Sequence, residues 1–127
     1  MKTILPIKVD SLFWESFYQY RDIPQEWQKE LFNYIVLGYS PGGFHTAVFA
    51  GDLMGAASRT HVSNSWKAIV AMCAWLINEA PTQSWGSYKN VEIWLYLPRS
   101  TRIKILEEWK LLTPEKEVAW NILAKTT

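Results

Sequence analysis

The side chains of this chain that could do chemistry are gathered in one stretch, Ser40–Asn64, SPGGFHTAVFAGDLMGAASRTHVSN. It holds both histidines, His45 and His61, together with Asp52 and Arg59. From Leu31 to Tyr88 only Asp52, Arg59, Lys67 and Glu79 carry charge, so each polar group there needs a reason. Nucleophilic catalysis requires a nucleophile, a base and an orienting group. Cys73 sits in an apolar run and reads as a small buried hydrophobe. The serines near the histidines carry no nucleophile-elbow motif. Asp52 and Glu79 are the only carboxylates in this middle region for paired acid–base work. A zinc site from His45, Asp52 and His61 fits no standard spacing. Pro41-Gly42-Gly43 is not followed by the Gly-Lys-Ser/Thr of a phosphate loop. The expectation is a protein that is not an enzyme and uses no metal or cofactor.

Binding chemistry is better represented. Arg59 offers a planar fork suited to phosphate. His61 and Asn64 fall at the start of the next helix, where free N–H groups suit an anion, and Gly42-Gly43 offers exposed backbone of the same kind. Trp85 and Tyr88 flank Gly86 on a loop, and their rings could stack on a base. His45, Asp52 and Arg59 lie seven apart and on a continuous helix would share a face. A structural role for Asp52, capping a helix or pairing with Arg59, is equally open.

The elements that must position these groups read as helices. Asp10 or Ser11 can cap a short helix, LFWESFYQY, after an irregular arm over residues 1–10. Pro24 suits the first position of a second helix, with Glu26 in its first turn. Trp27, Leu31, Tyr34 and Ile35 recur at helical spacing, and Gly38 is a fitting terminator. Gly43–Ser58 reads as one helix, with Ala47, Gly51 and Gly55 on a small-residue face, or as two helices broken at Gly51-Asp52. Ser63 or Asn64 can cap the longest helix, which runs to about Glu79 and ends before Pro81. It is apolar nearly all round, which points to a core or a subunit interface. Ser87 caps a segment through Val91, Trp94 and Leu95; VEIWLYL suits a helix by its context or a strand by its branched and aromatic residues. Ser100 or Thr101 caps IKILEEWKLL after Pro98, and Thr113-Pro114-Glu115 opens a last helix. The expected fold is all-α: one small domain over residues 1–127 with about five to seven helices, oligomeric.

Composition narrows the partners. The 127 residues carry 13 basic and 12 acidic side chains, net +1, with no basic run, which argues against a grip on long nucleic acid. Eight tryptophans supply large apolar surfaces for a core or an interface. The opening MKTILPIKVD has too short an apolar run for a signal peptide, and no stretch approaches the ~18 apolar residues of a membrane span. With one cysteine no disulfide framework forms within the chain. A soluble cytosolic protein is expected.

Taken in order, Pro41-Gly42-Gly43-Phe44, Thr46-Ala47-Val48, Asp52-Leu53, Arg59, Asn64, Pro81, Trp85-Gly86-Ser87, Val91 and Trp94 resemble a widespread family of small proteins from tailed bacteriophages. Pro24, Leu31, Tyr34 and Gly38 fit its opening helix. The likeness covers roughly residues 24–95, with 1–22 and 96–127 as additions. Gly51 stands where the family often has Asn, and Thr60-His61 where it often has Ala-Asp. The resemblance extends to phage sponge proteins that bind cyclic nucleotide signals and block CBASS-type immunity. It implies a non-enzymatic homo-oligomer, dimer or tetramer, in the host bacterial cytoplasm. Its ligand would be a cyclic dinucleotide such as 3′,3′-cyclic GMP-AMP. Arg59 would then contact phosphate, with Asp52 beside it; Phe44, Trp85 or Tyr88 would stack on bases; His45, Thr46, His61 and Asn64 would hydrogen-bond base edges or phosphate. The alternatives are inhibition of a host enzyme by protein contact, or a nucleotide hydrolase using His45 or His61.

Overall fold

A helix of eleven residues, Gln25–Ile35, exchanges side-chain hydrogen bonds with two later parts of the chain, Tyr34 donating to Ser84 O and Ile35 O accepting from Trp94. The computed structural model describes residues 11–59 and 66–113. Among them are seven α-helices, one short 3-10 turn and no strand. They are α1 (Ser11–Glu15), α2 (Gln25–Ile35), α3 (Gly43–Phe49), α4 (Leu53–Arg59), α5 (Trp66–Glu79), the 3-10 turn Thr82–Ser84, α6 (Tyr88–Tyr96) and α7 (Arg99–Glu108). The arm over 1–10, the caps at Ser63 or Asn64 and the last helix from Pro114 lie outside the described residues.

Local chemistry sets most of the boundaries. Pro24 takes the N-cap of α2 rather than its first turn, at φ −60° and ψ 152°. Gly38 closes the same helix at φ +73°, its N–H bonding to the Tyr34 carbonyl at 3.1 Å, as a left-handed terminator does. Ser87 caps α6, its Oγ accepting from the Asn90 N–H at 3.0 Å. VEIWLYL is therefore helical, and its buried residues Val91 and Trp94 face the core. At α7 the expectation of Ser100 or Thr101 as cap is corrected: the cap is Pro98. Leu97 before it is held extended at ψ 140°, the conformation a following proline imposes, so the chain can turn helical immediately after it.

The core is aromatic. Phe13 lies edge-on to Phe17, Phe32 and Trp75 at 5.4–5.5 Å, while Phe17 stacks on Trp75 at 5.0 Å. Tyr34 stacks on Phe49 at 4.8 Å, joining α2 to α3. Each large ring buried here contributes about 1.5–3 kcal/mol. Two of the polar tips find partners, while Trp14 Nε1 is buried without one. Trp75 Nε1 donates to Ser16 Oγ at 2.9 Å, and the Tyr34 hydroxyl donates to the Ser84 carbonyl at 2.7 Å. Helix α5 buries Ala68, Ile69, Met72, Trp75 and Leu76 on one side and leaves Trp66, Val70 and Ile77 exposed on another.

Helix α2 ends inside the protein, so its last carbonyls need donors that water cannot supply. Trp94 Nε1 of α6 donates to Ile35 O at 3.2 Å. Arg102 of α7, only 4% exposed, supplies the rest: Nε to Val36 O at 2.9 Å and Nη2 to Leu37 O at 3.1 Å, with Nη1 reaching Leu97 O at 3.2 Å. Gly38 makes room for it, since a β-carbon there would come within 2.6 Å of the guanidinium. Arg102→Met leaves three carbonyls without a donor and should lower stability by about 3–5 kcal/mol in urea denaturation. Arg102→Lys should recover about half of that, and Gly38→Ala should cost at least about 1–2 kcal/mol through its positive φ alone. An Arg102→Met protein as stable as the parent would refute this role.

Candidate functional site

The polar stretch folds as two short helices, not one. Helix α3 ends at Phe49, Gly51 turns the chain at φ +78°, and Asp52 starts α4 by accepting the Gly55 N–H on Oδ1 at 2.8 Å. A carboxylate in that position satisfies a free helix donor and meets the positive end of the helix dipole. The small-residue face is corrected by the same break. Ala47 is packed in the core, Gly51 lies against the Gly86 backbone, and Gly55 accommodates Asp52, whose Oδ2 a β-carbon at residue 55 would meet at 2.2 Å. The Gly86 N–H donates to Phe49 O at 2.8 Å, so the α3–α4 junction is tied directly to the loop before α6.

That tie brings Tyr88 to Asp52. The Tyr88 hydroxyl donates to Asp52 Oδ2 at 2.5 Å. Asp52 is held below the usual carboxylate range, first by Tyr88, then by the Gly55 N–H, with Arg59 adding its charge. Tyr88 is raised in turn, mainly by the same bond. Arg59 is exposed and lies over Gly43, where a β-carbon would come within 3.1 Å of its Cδ; its Nη1 donates to Gly55 O at 3.0 Å. A guanidinium has five donors, so this one bond leaves most of the fork uncommitted by it.

Thr46, Asp52, Arg59 and Tyr88 are thus brought to one region, while Phe44, His45 and Trp85 turn toward the core. Phe44 packs on Trp27 at 5.3 Å. Trp85 is half-buried, its Nε1 donating to Ala80 O at 3.4 Å, which leaves Tyr88 as the exposed ring of that pair. The His45 ring lies edge-on to Trp27 at 5.3 Å and to Phe44 at 5.1 Å, and beside Phe49 at 5.9 Å. Its Nε2 is buried with no hydrogen-bond partner. Burial pushes its pKa down to about 4. Cys73 is half-buried, and burial raises its thiol pKa, so it is a neutral thiol near pH 7. His61 and Asn64 lie outside the described residues.

Between α3 and α6 runs an open groove of about 620 Å³ lined by Thr46, Tyr88, Lys89, Glu92, Leu95 and Tyr96. Lys89, Glu92 and Tyr96 are not singled out by sequence. Their signal is the run Tyr88, Glu92, Tyr96, one turn apart along α6, which is legible only once that segment is known to be a helix. Among the described residues no group of three or more His, Cys, Asp or Glu is placed to hold one metal ion, and no helix is long and apolar enough to cross a membrane. No protein-family model, curated protein or solved structure matches the chain.

The caged histidine has a pH consequence. Unfolded, His45 takes a proton near its ordinary 6.5; folded, it does so near 4. Between those values the unfolded chain binds the extra proton, so stability falls as pH drops through the window. Melting temperature should hold steady just above pH 6.5 and fall by several degrees toward pH 4. His45→Phe should flatten that slope; an unchanged slope would assign the effect to other groups.

Proposed function

We propose that this chain is a non-catalytic binding protein that holds a cyclic oligonucleotide, of the 3′,3′-cyclic GMP-AMP type, in the groove between α3 and α6. One observation carries the reading: two exposed tyrosines, Tyr88 and Tyr96, stand about 12 Å apart along one helix with Lys89 between them in sequence. Rings of this kind offer stacking faces to bases and a lysine offers a cation to phosphate. Thr46 adds a hydroxyl from the facing helix, and Arg59 lies near the Asp52–Tyr88 end. The groove's volume lies within the ~300–1,000 Å³ usual for ligand sites.

The chemistry nearby suits holding better than cutting. A hydrolase would need a base that reaches the ligand, and His45 points its free nitrogen into an aromatic cage. With the resemblance to phage sponge proteins, this supports a protein that self-associates and sequesters a host defence signal intact.

Thermal shift with a panel of cyclic dinucleotides, followed by heat denaturation and chromatography of the nucleotide, tests the reading. A shift with intact nucleotide recovered is expected. Tyr96→Ala, at a ring that is 79% exposed, and Lys89→Ala should each weaken affinity roughly 5–100-fold, as loss of a stacked base or a phosphate contact does. Tyr88→Ala is the less clean probe because it also frees Asp52. No shift with any nucleotide overturns the proposal, and degraded nucleotide overturns its non-catalytic half.

A further inference from the structure

Helix α5 carries an apolar stripe that the core shares only at Cys73, which is half-buried against it. Trp66, Val70, Cys73 and Ile77 follow one another at intervals of four, three and four, the spacing that keeps residues on one narrow seam of a helix. Trp66 and Ile77 are each 60% exposed and Val70 48%. Beside the stripe, α4 presents Leu53 and Met54, the latter 81% exposed. The two surfaces are continuous: a cavity of about 90 Å³ opens between α4 and α5, lined by Leu53, Ala56, Ile69 and Cys73 among others.

We propose that this stripe pairs with the same stripe of a second copy, the two α5 helices running antiparallel about a two-fold axis that passes between Val70 and Cys73. The spacing four-three-four reads the same in both directions. A reversed copy therefore places Trp66 opposite Ile77 and Val70 opposite Cys73, twice over, with every stripe residue matched. A two-fold interface must be self-complementary in this way, and an uncharged surface meets itself without setting like charges together. Val70 of the second copy also arrives at the cavity edge that Cys73 and Leu53 form. The exposed apolar side chains offer roughly 500 Å² per chain, at the upper end of what a single chain usually leaves in one patch. Two copies cover about 1,000 Å², the least area at which a specific interface is expected. The pairing does not depend on what the groove between α3 and α6 takes.

Sedimentation equilibrium of the full-length chain across the micromolar range tests it without any ligand. A monomer–dimer equilibrium is expected. Val70→Glu and Ile77→Glu, both at exposed positions that the fold tolerates, should each weaken the dimer at least about 100-fold by burying an unpaired charge. Trp66→Cys combined with Ile77→Cys should crosslink between copies on oxidation with copper–phenanthroline, several-fold faster than the parent forms any covalent dimer, because the two positions lie about 16 Å apart along one helix and meet disulfide geometry only across the pairing. A chain that stays monomeric throughout overturns the proposal and gives the stripe to a different partner. A dimer indifferent to both glutamates, or no gain in crosslinking, overturns the pairing.

Discussion

The rest of the structure depends on how the end of α2 is satisfied. A helix that stops in the interior presents carbonyls that must find donors there. Here the donors come from the far part of the sequence, Trp94 and Arg102, and reach Ile35, Val36 and Leu37. The guanidinium suits the task because its donors lie in one rigid plane and span several acceptors at once. The fit is mutual. Gly38 must be left-handed to end the helix and must lack a side chain to admit Arg102. Three elements, α2, α6 and α7, are thereby held around one buried charge, and the chain leaving Gly38 begins the polar stretch from a fixed point.

A second tie works in the middle of that stretch, at the end of α3. Tyr34 of α2 stacks on Phe49 at the end of α3 and bonds to Ser84 before α6. Gly86 bonds to Phe49 from the same loop. Helices α3 and α6 are therefore set side by side by contacts to shared residues, which is what opens the groove between Thr46 and Tyr96. The groove is a product of packing that lies beneath it, and none of its lining residues specifies it alone.

Some caps and terminators were legible in the sequence because their chemistry is local, although the proline caps Pro24 and Pro98 were placed differently. Ser87, Gly38 and the break at Gly51-Asp52 act within a few residues of themselves, and each is where its type suggests. Features that depend on distant partners were not. Arg102 sits in the polar run RSTRIKILEE, which by composition belongs at a solvated surface; only the carbonyls of α2, more than sixty residues away, draw it inward. Ala47, Gly51 and Gly55 share a spacing, but the turn at Gly51 redirects the chain and gives each a different neighbour. His45 looks like a ligand group by type and spacing, yet the aromatic cage of Trp27, Phe44 and Phe49 holds it neutral. The groove needed α6 to be a helix with Thr46 opposite, and VEIWLYL carried enough strand character to hide that register.

Asp52 connects the two surfaces that the fold leaves outward. One carboxylate oxygen holds the first turn of α4 through Gly55, and the other holds Tyr88 at the mouth of the groove. Leu53 and Met54, in that same first turn, extend the apolar stripe of α5. Both bonds are charge-assisted, and both weaken when the carboxylate is neutralised or pulled aside. Tyr88, Asp52 and the start of α4 are therefore linked by hydrogen bonds that lie outside the aromatic core. The core is close-packed and resists small displacements, whereas this chain of exposed groups can yield. Groove and stripe thus meet at one side chain, an aspartate whose two oxygens hold a residue of each surface's border.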